Sequence, residues 1–142
     1  MRVLFLDFDG VLHPVPCEGP GSVDSADAFC WLDILVSLLA TYKDVFLVVH
    51  STWRYAYTPA EIGDMLGVLE SQYLGVTPRG QRYEAIQWWL SQNKTFTSHR
   101  ILDDMPDEFG RPPPAELIVC DPLEGISGFD AQAQLSSWLE TP

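Results

Sequence analysis

Residues 3–12 read Val3-Leu4-Phe5-Leu6-Asp7-Phe8-Asp9-Gly10-Val11-Leu12. Four apolar side chains in succession end at an acid. A run with no polar face is what a strand buried inside a parallel sheet requires. Gly10 tolerates backbone angles closed to other residues, so the chain can turn there and bring both carboxylates to one pocket. In an open α/β sheet ligands bind beyond the carboxyl ends of the strands. The position of Asp7 and Asp9 directly after the run therefore makes them candidate chemistry.

Working outward, the same kind of apolar run recurs. Residues 45–49 form a second strand, 73–76 a short third, 100–102 and 117–120 two more. Between them lie helical patterns. Trp31, Leu32, Leu35, Leu38 and Leu39 share one face, and Tyr83, Ile86, Trp89 and Leu90 mark another helix. Thr58-Pro59-Ala60-Glu61 reads as a cap, a first-turn proline and a capping-box glutamate. Ser127 and Asp130 are candidate caps for a last helix that buries Ala131, Leu135, Trp138 and Leu139. Residues 8–28 are rich in Pro and Gly and form a long loop. Strands alternating with helices predict an α/β fold, a three-layer, doubly wound parallel sheet, with the 142 residues forming one domain.

The remaining strand ends carry matching chemistry. His50-Ser51-Thr52-Trp53-Arg54 follows the second strand, and a hydroxyl there can hold a phosphate oxygen or cap the next turn. Thr77-Pro78-Arg79-Gly80-Gln81-Arg82 precedes a helix. An arginine from it would offset repulsion between an acidic nucleophile and an anionic substrate. Asp103 and Asp104 follow the fourth strand, and adjacent acids at a buried strand end call for a cation. Magnesium suits them, because it takes a few carboxylates together with water and phosphate oxygens. An aspartate can attack phosphorus to form an acyl phosphate, and a second carboxyl can protonate the leaving oxygen and later activate water.

Several classes are excluded. No GxSxG elbow is present for a serine hydrolase, and no His or Cys cluster for zinc. The net charge of −12, from eight Lys and Arg against twenty acids, opposes extended nucleic-acid binding but leaves room for a pocket holding one terminal phosphate. No apolar run is long enough to span a bilayer, and the N-terminus breaks into aspartates too early for a signal peptide. Cys17, Cys30 and Cys120 are odd in number and include no CxxC pair. They read as reduced thiols, Cys30 and Cys120 in the core, in a cytoplasmic protein. His13 is placed to touch substrate, and His50 reads as a packed side chain.

With these stations assembled, the sequence resembles the haloacid dehalogenase (HAD) superfamily. LFLDFDGVLHP is similar to its first motif, FLVVHSTWR to its second, RYEAIQWWL to its third and RILDDMPDEF to its fourth. The resemblance implies a magnesium-dependent phosphohydrolase with Asp7 as nucleophile and Asp9 as general acid and base. It places Ser51, ahead of Thr52, as the phosphate-binding hydroxyl, and Arg82, with Arg79 as fallback, as the basic residue. Metal would be held by the Asp7 side chain, the Asp9 main-chain carbonyl, Asp103 and Asp104. STWR, the RxEAIxxWL helix, LDD and CDPLEGI together resemble the small HAD domain of bacterial RNA-repair proteins. That implies a phosphorylated substrate, including a nucleotide or nucleic-acid end. The loops leave no room for a separate cap domain, so specificity falls to residues 13–27, Gly10, Arg54 and Tyr55. The alternative is a receiver-like module that accepts phosphate, or binds metal, without turnover.

Overall fold

The computed structural model describes residues 1–15 and 27–141. Five parallel strands form one sheet in the order β3-β2-β1-β4-β5. They are β1 (Arg2–Leu6), β2 (Val45–Val49), β3 (Tyr73–Val76), β4 (Ser98–Asp103) and β5 (Leu117–Val119). The helices are α1 (Leu32–Leu39), α2 (Pro59–Met65), α3 (Arg82–Gln92) and α4 (Phe129–Leu139). Among the described residues, 3-10 turns that the sequence pattern did not announce lie at Thr52–Tyr55, Gly67–Gln72, Pro106–Phe109 and Gly125–Ser127.

Alternation along β1 shows why the sheet needs cover on both sides. Leu4 and Leu6 point into the larger core, with Leu35 and Leu39 of α1, Ile62 of α2 and Leu135 and Trp138 of α4. Val3 and Phe5 point the other way, onto Ile86 of α3 and Phe109, with Trp89 packed alongside. The result is the expected three-layer, Rossmann-like order, and no separate cap domain interrupts it among the described residues. Among the described residues, no helix is long and apolar enough to cross a membrane.

Local signals behave unevenly. The capping box at Thr58 forms as read, the Thr58 hydroxyl accepting from Glu61 N–H and the Glu61 carboxylate from Thr58 N–H. The caps expected for α4 do not form. Ser127 belongs to the preceding 3-10 turn, where its hydroxyl donates to the Glu124 carbonyl, and α4 starts from Gly128 with no side-chain cap. Cys120 is buried as expected, whereas Cys30 is exposed, because it lies in the turn before α1 rather than on its apolar face. Cys17 and most of the 13–27 loop lie outside the described residues.

Two features fix the sheet against its surroundings. Arg2 is buried and donates to Asp44 and to the last carbonyls of α4 at Trp138 and Leu139, closing the edge opposite the acidic strand ends. Gly125 lets the 122–126 segment dock closely: a β-carbon there would stand 2.4 Å from the Trp31 ring and 2.5 Å from the Val11 carbonyl.

Candidate active site

Strand pairing does most of the placing. Leu6 of β1 is level with Val49 of β2 and Leu102 of β4. The ladder continues one residue further: Asp7 N–H donates to the Leu102 carbonyl and His50 N–H to the Leu6 carbonyl, both at 3.1 Å. Asp7, His50 and Asp103 therefore form one row across three neighbouring strand ends. Since Leu6, Val49 and Leu102 face the larger core, the residues after them face the α3 side. Strand order reverses between β1 and β4, the switch point where open sheets bind ligands. All three side chains are buried, and one ligand atom from each lies within 4.8 Å of the others.

Arg82, the first residue of α3, closes the row. Its Nη1 donates to Asp7 Oδ2 at 3.1 Å and to Asp103 Oδ1 and Oδ2 at 3.0 and 2.8 Å. Burial works against the Arg82 charge, but the two carboxylates outweigh it and raise its pKa. Asp103 also takes a hydrogen bond from His50 Nε2 at 2.8 Å and one from Met105 N–H at 2.8 Å. These partners overcome its burial and hold it below the ordinary carboxylate range. Asp7 has fewer donors. Burial, reinforced by the Asp103 charge, raises it well above that range despite Arg82. Burial likewise lowers the His50 pKa, against the pull of Asp103.

Asp104 completes the acidic cluster from across Gly10. Burial and then the Asp103 charge push it up to about 6. Gly10 has a φ of 75°, and a β-carbon there would fall 2.5 Å from the Asp104 carboxyl. Gly10→Ala is expected to destabilise the fold by about 1–3 kcal/mol through backbone strain and displacement of Asp104. Urea unfolding of the two proteins checks this; equal midpoints would remove the close approach as a constraint.

Asp9 is built into an aromatic wall whose rings include Phe8 and Trp53 of the larger core. Phe29 N–H donates to His13 Nδ1 at 3.2 Å, which leaves the ring hydrogen on Nε2. That nitrogen donates to Asp9 Oδ1 at 2.7 Å. The Trp53 indole N–H lies 3.2 Å from both Asp9 oxygens. The rings of Phe29 and Trp53 pack against each other and each against those of Phe8 and His13, with centroids 5.0–5.6 Å apart. Phe29 has a φ of 56°, rare for an aromatic residue, which aims its N–H at His13. His13 is fully buried, so it reaches Asp9 rather than substrate as expected.

The other expected residues fall in different places. Ser51 is buried beside the row, and its Oγ accepts from Trp53 N–H at 3.3 Å, so it caps the 3-10 turn. A hydroxyl that accepts once still has its hydrogen to donate. Thr52 is exposed. Arg54, expected to grip substrate, does not: its five N–H donors go to the carbonyls of His50, Ser51, Pro78 and Gly80 and to the Tyr55 hydroxyl. It braces the loop after β2 against the loop after β3. Arg79 stands 4.9 Å from the Tyr55 ring and Arg82, not Arg79, reaches Asp7.

The sequence reading passed over His50 and Trp53 as site residues. Only the parallel register, which pairs His50 with Asp7 and Asp103, signals the first. Nothing local signals the second, 44 residues from its partner Asp9.

Against known proteins, a family model described as the HAD domain in Swiss Army Knife RNA repair proteins matches residues 3–131. Neither a curated protein nor a solved structure matches the chain.

Proposed function

The chain belongs to the family of HAD domains in Swiss Army Knife RNA repair proteins, and from that premise we propose that residues 1–142 act as one cytoplasmic, magnesium-dependent phosphatase unit. Its substrate is a phosphomonoester, of which a phosphorylated nucleic-acid end is the leading kind. The supporting observation is the division of labour between two nearby carboxylates. Asp7 is buried against Arg82, while Asp9 is fixed by the ring N–H groups of His13 and Trp53.

In this reading an Asp7 carboxylate oxygen attacks phosphorus and the bond to the leaving oxygen breaks. Asp9, protonated, gives that oxygen its proton. Asp9 then takes a proton from water, which attacks the acyl phosphate, releasing inorganic phosphate and restoring Asp7. Arg82 offsets the repulsion between Asp7 and the incoming phosphate, and Ser51 donates its hydroxyl hydrogen to a phosphate oxygen. Asp7, Asp103, Asp104 and the Asp9 carbonyl form an oxygen donor set that suits a hard divalent cation. The raised pKa values of Asp7 and Asp104 fit a cluster short of positive charge. Bound there, magnesium would supply that charge and draw electron density from the phosphate oxygens. His50, tied to Asp103, would orient that carboxylate rather than ligate, since nitrogen suits magnesium poorly.

Purified protein offered a panel of phosphate esters, with magnesium and with chelator, tests the reading. No phosphate release from any ester would sink it. A stable phosphoryl-protein without release would favour the receiver-like alternative.

The acid–base assignment has its own signature. Asp9→Asn is expected to lose roughly 10²–10⁴-fold in kcat on alkyl phosphates, whose leaving oxygen needs a proton. The loss on a nitrophenyl ester should be much smaller. His13→Gln should shift the same ratio in the same direction, because it removes the donor that aims Asp9. Equal losses on both esters would reduce Asp9 to a structural residue.

A further inference from the structure

Charge on this protein is unevenly placed. The chain carries only eight Lys and Arg against a net charge of −12, yet Arg54, Arg79 and Arg82 gather at the strand ends of β2 and β3 and the start of α3. The opposite flank of the acid row is a hollow of about 590 Å³ lined by Asp104, Asp121, Glu124 and Asp130. A polyanion whose terminal phosphate sits at Asp7 is repelled on that flank and attracted on the arginine side.

The arginine side has a shape to match. A hollow of about 340 Å³ opens between turn 78–80 and α3, walled by Arg79, Gly80, Gln81, Glu84 and Trp88. Its lining runs from Pro78 to Gln81, the residue before Arg82, whose guanidinium touches Asp7. Gln81, Glu84 and Trp88 recur at helical spacing and so form its floor. Trp88 is 55% exposed, a large apolar surface left to water. Arg79 is exposed as well, its guanidinium 4.9 Å from the centre of the Tyr55 ring. The turn itself is held rigid. Arg54 donates to the carbonyls of Pro78 and Gly80, and Gly80 N–H donates to the Tyr55 hydroxyl at 3.1 Å.

We propose that this hollow is the subsite for the nucleobase next to the terminal phosphate, stacked on Trp88 and flanked by Arg79. The proposal rests on the reading of the substrate as a nucleic-acid end and goes further by assigning its base a place. An indole face stacks on any base, and a guanidinium beside it adds a cation–π or phosphate contact. Glu84 in the same wall disfavours a second phosphate, so the hollow takes the uncharged base while the strand continues outward past Arg79. The site is sequence-tolerant and limited to one nucleotide, which reconciles a strongly acidic protein with a nucleic-acid substrate.

The test is equilibrium binding, by fluorescence anisotropy, to the full chain carrying Asp7→Asn so that the probe is not consumed. The probes are six-nucleotide single-stranded RNAs labelled at the far end, with a 3′- or a 5′-terminal phosphate, and with the terminal nucleotide either intact or abasic. The intact probe is expected to bind about 10-fold tighter than its abasic twin, the size of one stacked base. Adding Trp88→Ala should cut that advantage to twofold or less, and Arg79→Gln should reduce it. Circular-dichroism melts confirm that these exposed substitutions leave the fold intact. Equal binding of intact and abasic probes overturns the proposal. So does an advantage that survives Trp88→Ala, or no binding of any probe. Self-association that disappears with Trp88→Ala while the probes bind alike would give the face to a second copy instead. Phosphate release from a small alkyl phosphate by the unaltered chain is measured separately. If it fails while the base advantage holds, the chemistry falls and the subsite stands.

Discussion

Asp7→Asn is expected to lower turnover of an aryl phosphate by about 10⁴-fold or more. Asparagine keeps the size of the side chain and can still accept from Phe8 N–H, as the Asp7 Oδ1 does at 2.8 Å. What it lacks is a charged oxygen able to form the acyl phosphate. The structure limits the collateral damage. Arg82 keeps two hydrogen bonds to Asp103, and His50 and Met105 still hold that residue in place. The variant should therefore melt within a few degrees of the natural protein. Retention of more than about a hundredth of the activity would mean that water attacks phosphorus directly, and Asp7 would be at most a binding group.

The second large effect is that of the metal, and it carries a pH dependence whose sign the acids determine. Asp104 is pushed up to about 6 by burial and the Asp103 charge, against about 3.9 unfolded. For a raised acid the unfolded state releases its proton first, so folding stability falls as pH rises between those values. Below about pH 4 both states hold the proton and the contribution is flat. Asp7, raised well above the ordinary carboxylate range by burial, adds to the decline. Asp103 acts in the opposite sense, but its lowered pKa confines that effect below about pH 4. His50 and His99, whose pKa values burial lowers, act against this decline as pH approaches 6.5. The Asp104 part is therefore read as the melting-temperature advantage of Asp104→Asn over the unaltered metal-free protein, which should grow from about pH 4 to 6. Magnesium at about 100 times its Kd should restore about 2.7 kcal/mol, worth several degrees, and the same concentration should restore less at pH 5, where protons compete for the acids. Asp104→Asn should raise the metal-free melting temperature at pH 7 and blunt the magnesium response. Chelation should abolish turnover, and calcium should not replace magnesium, because its looser shell tolerates the wrong geometry. A melting-temperature difference between Asp104→Asn and the unaltered protein in chelator that stays flat across pH 4–7 would remove the acid cluster as a cation site.

Much of this was legible along the chain because it is local. The five apolar runs, the Thr58 capping box and the acids at the ends of β1 and β4 each declare themselves within about ten residues. The parallel sheet follows from their alternation with helices, and the strand-end rule then brings Asp7, Asp103 and Arg82 together. What stayed hidden depends on register and on competition. His50 joins the row only because β2 lies level with β1, and Trp53 reaches Asp9 only because a 3-10 turn swings its indole inward. Arg54 carries the charge expected of a phosphate binder, but four loop carbonyls outbid the substrate for it. Ser127 failed as a cap for the same reason, its hydroxyl being engaged one turn earlier.

The central place of β1 sets the order in which this protein can be made. Its neighbours in the sheet are β2 at residues 45–49 and β4 at residues 98–103. During synthesis at about 5–20 residues per second, roughly 5–20 s separate the emergence of β1 from that of its second partner. Through that interval Arg2–Leu6, apolar on both faces, offers an open edge that any other extended chain can pair with. The catalytic row does not exist until β4 arrives, so a nascent chain is exposed to aggregation well before it has anything to bind. Cellular production of this protein is thus a race between the growth of the chain and the capture of its first strand.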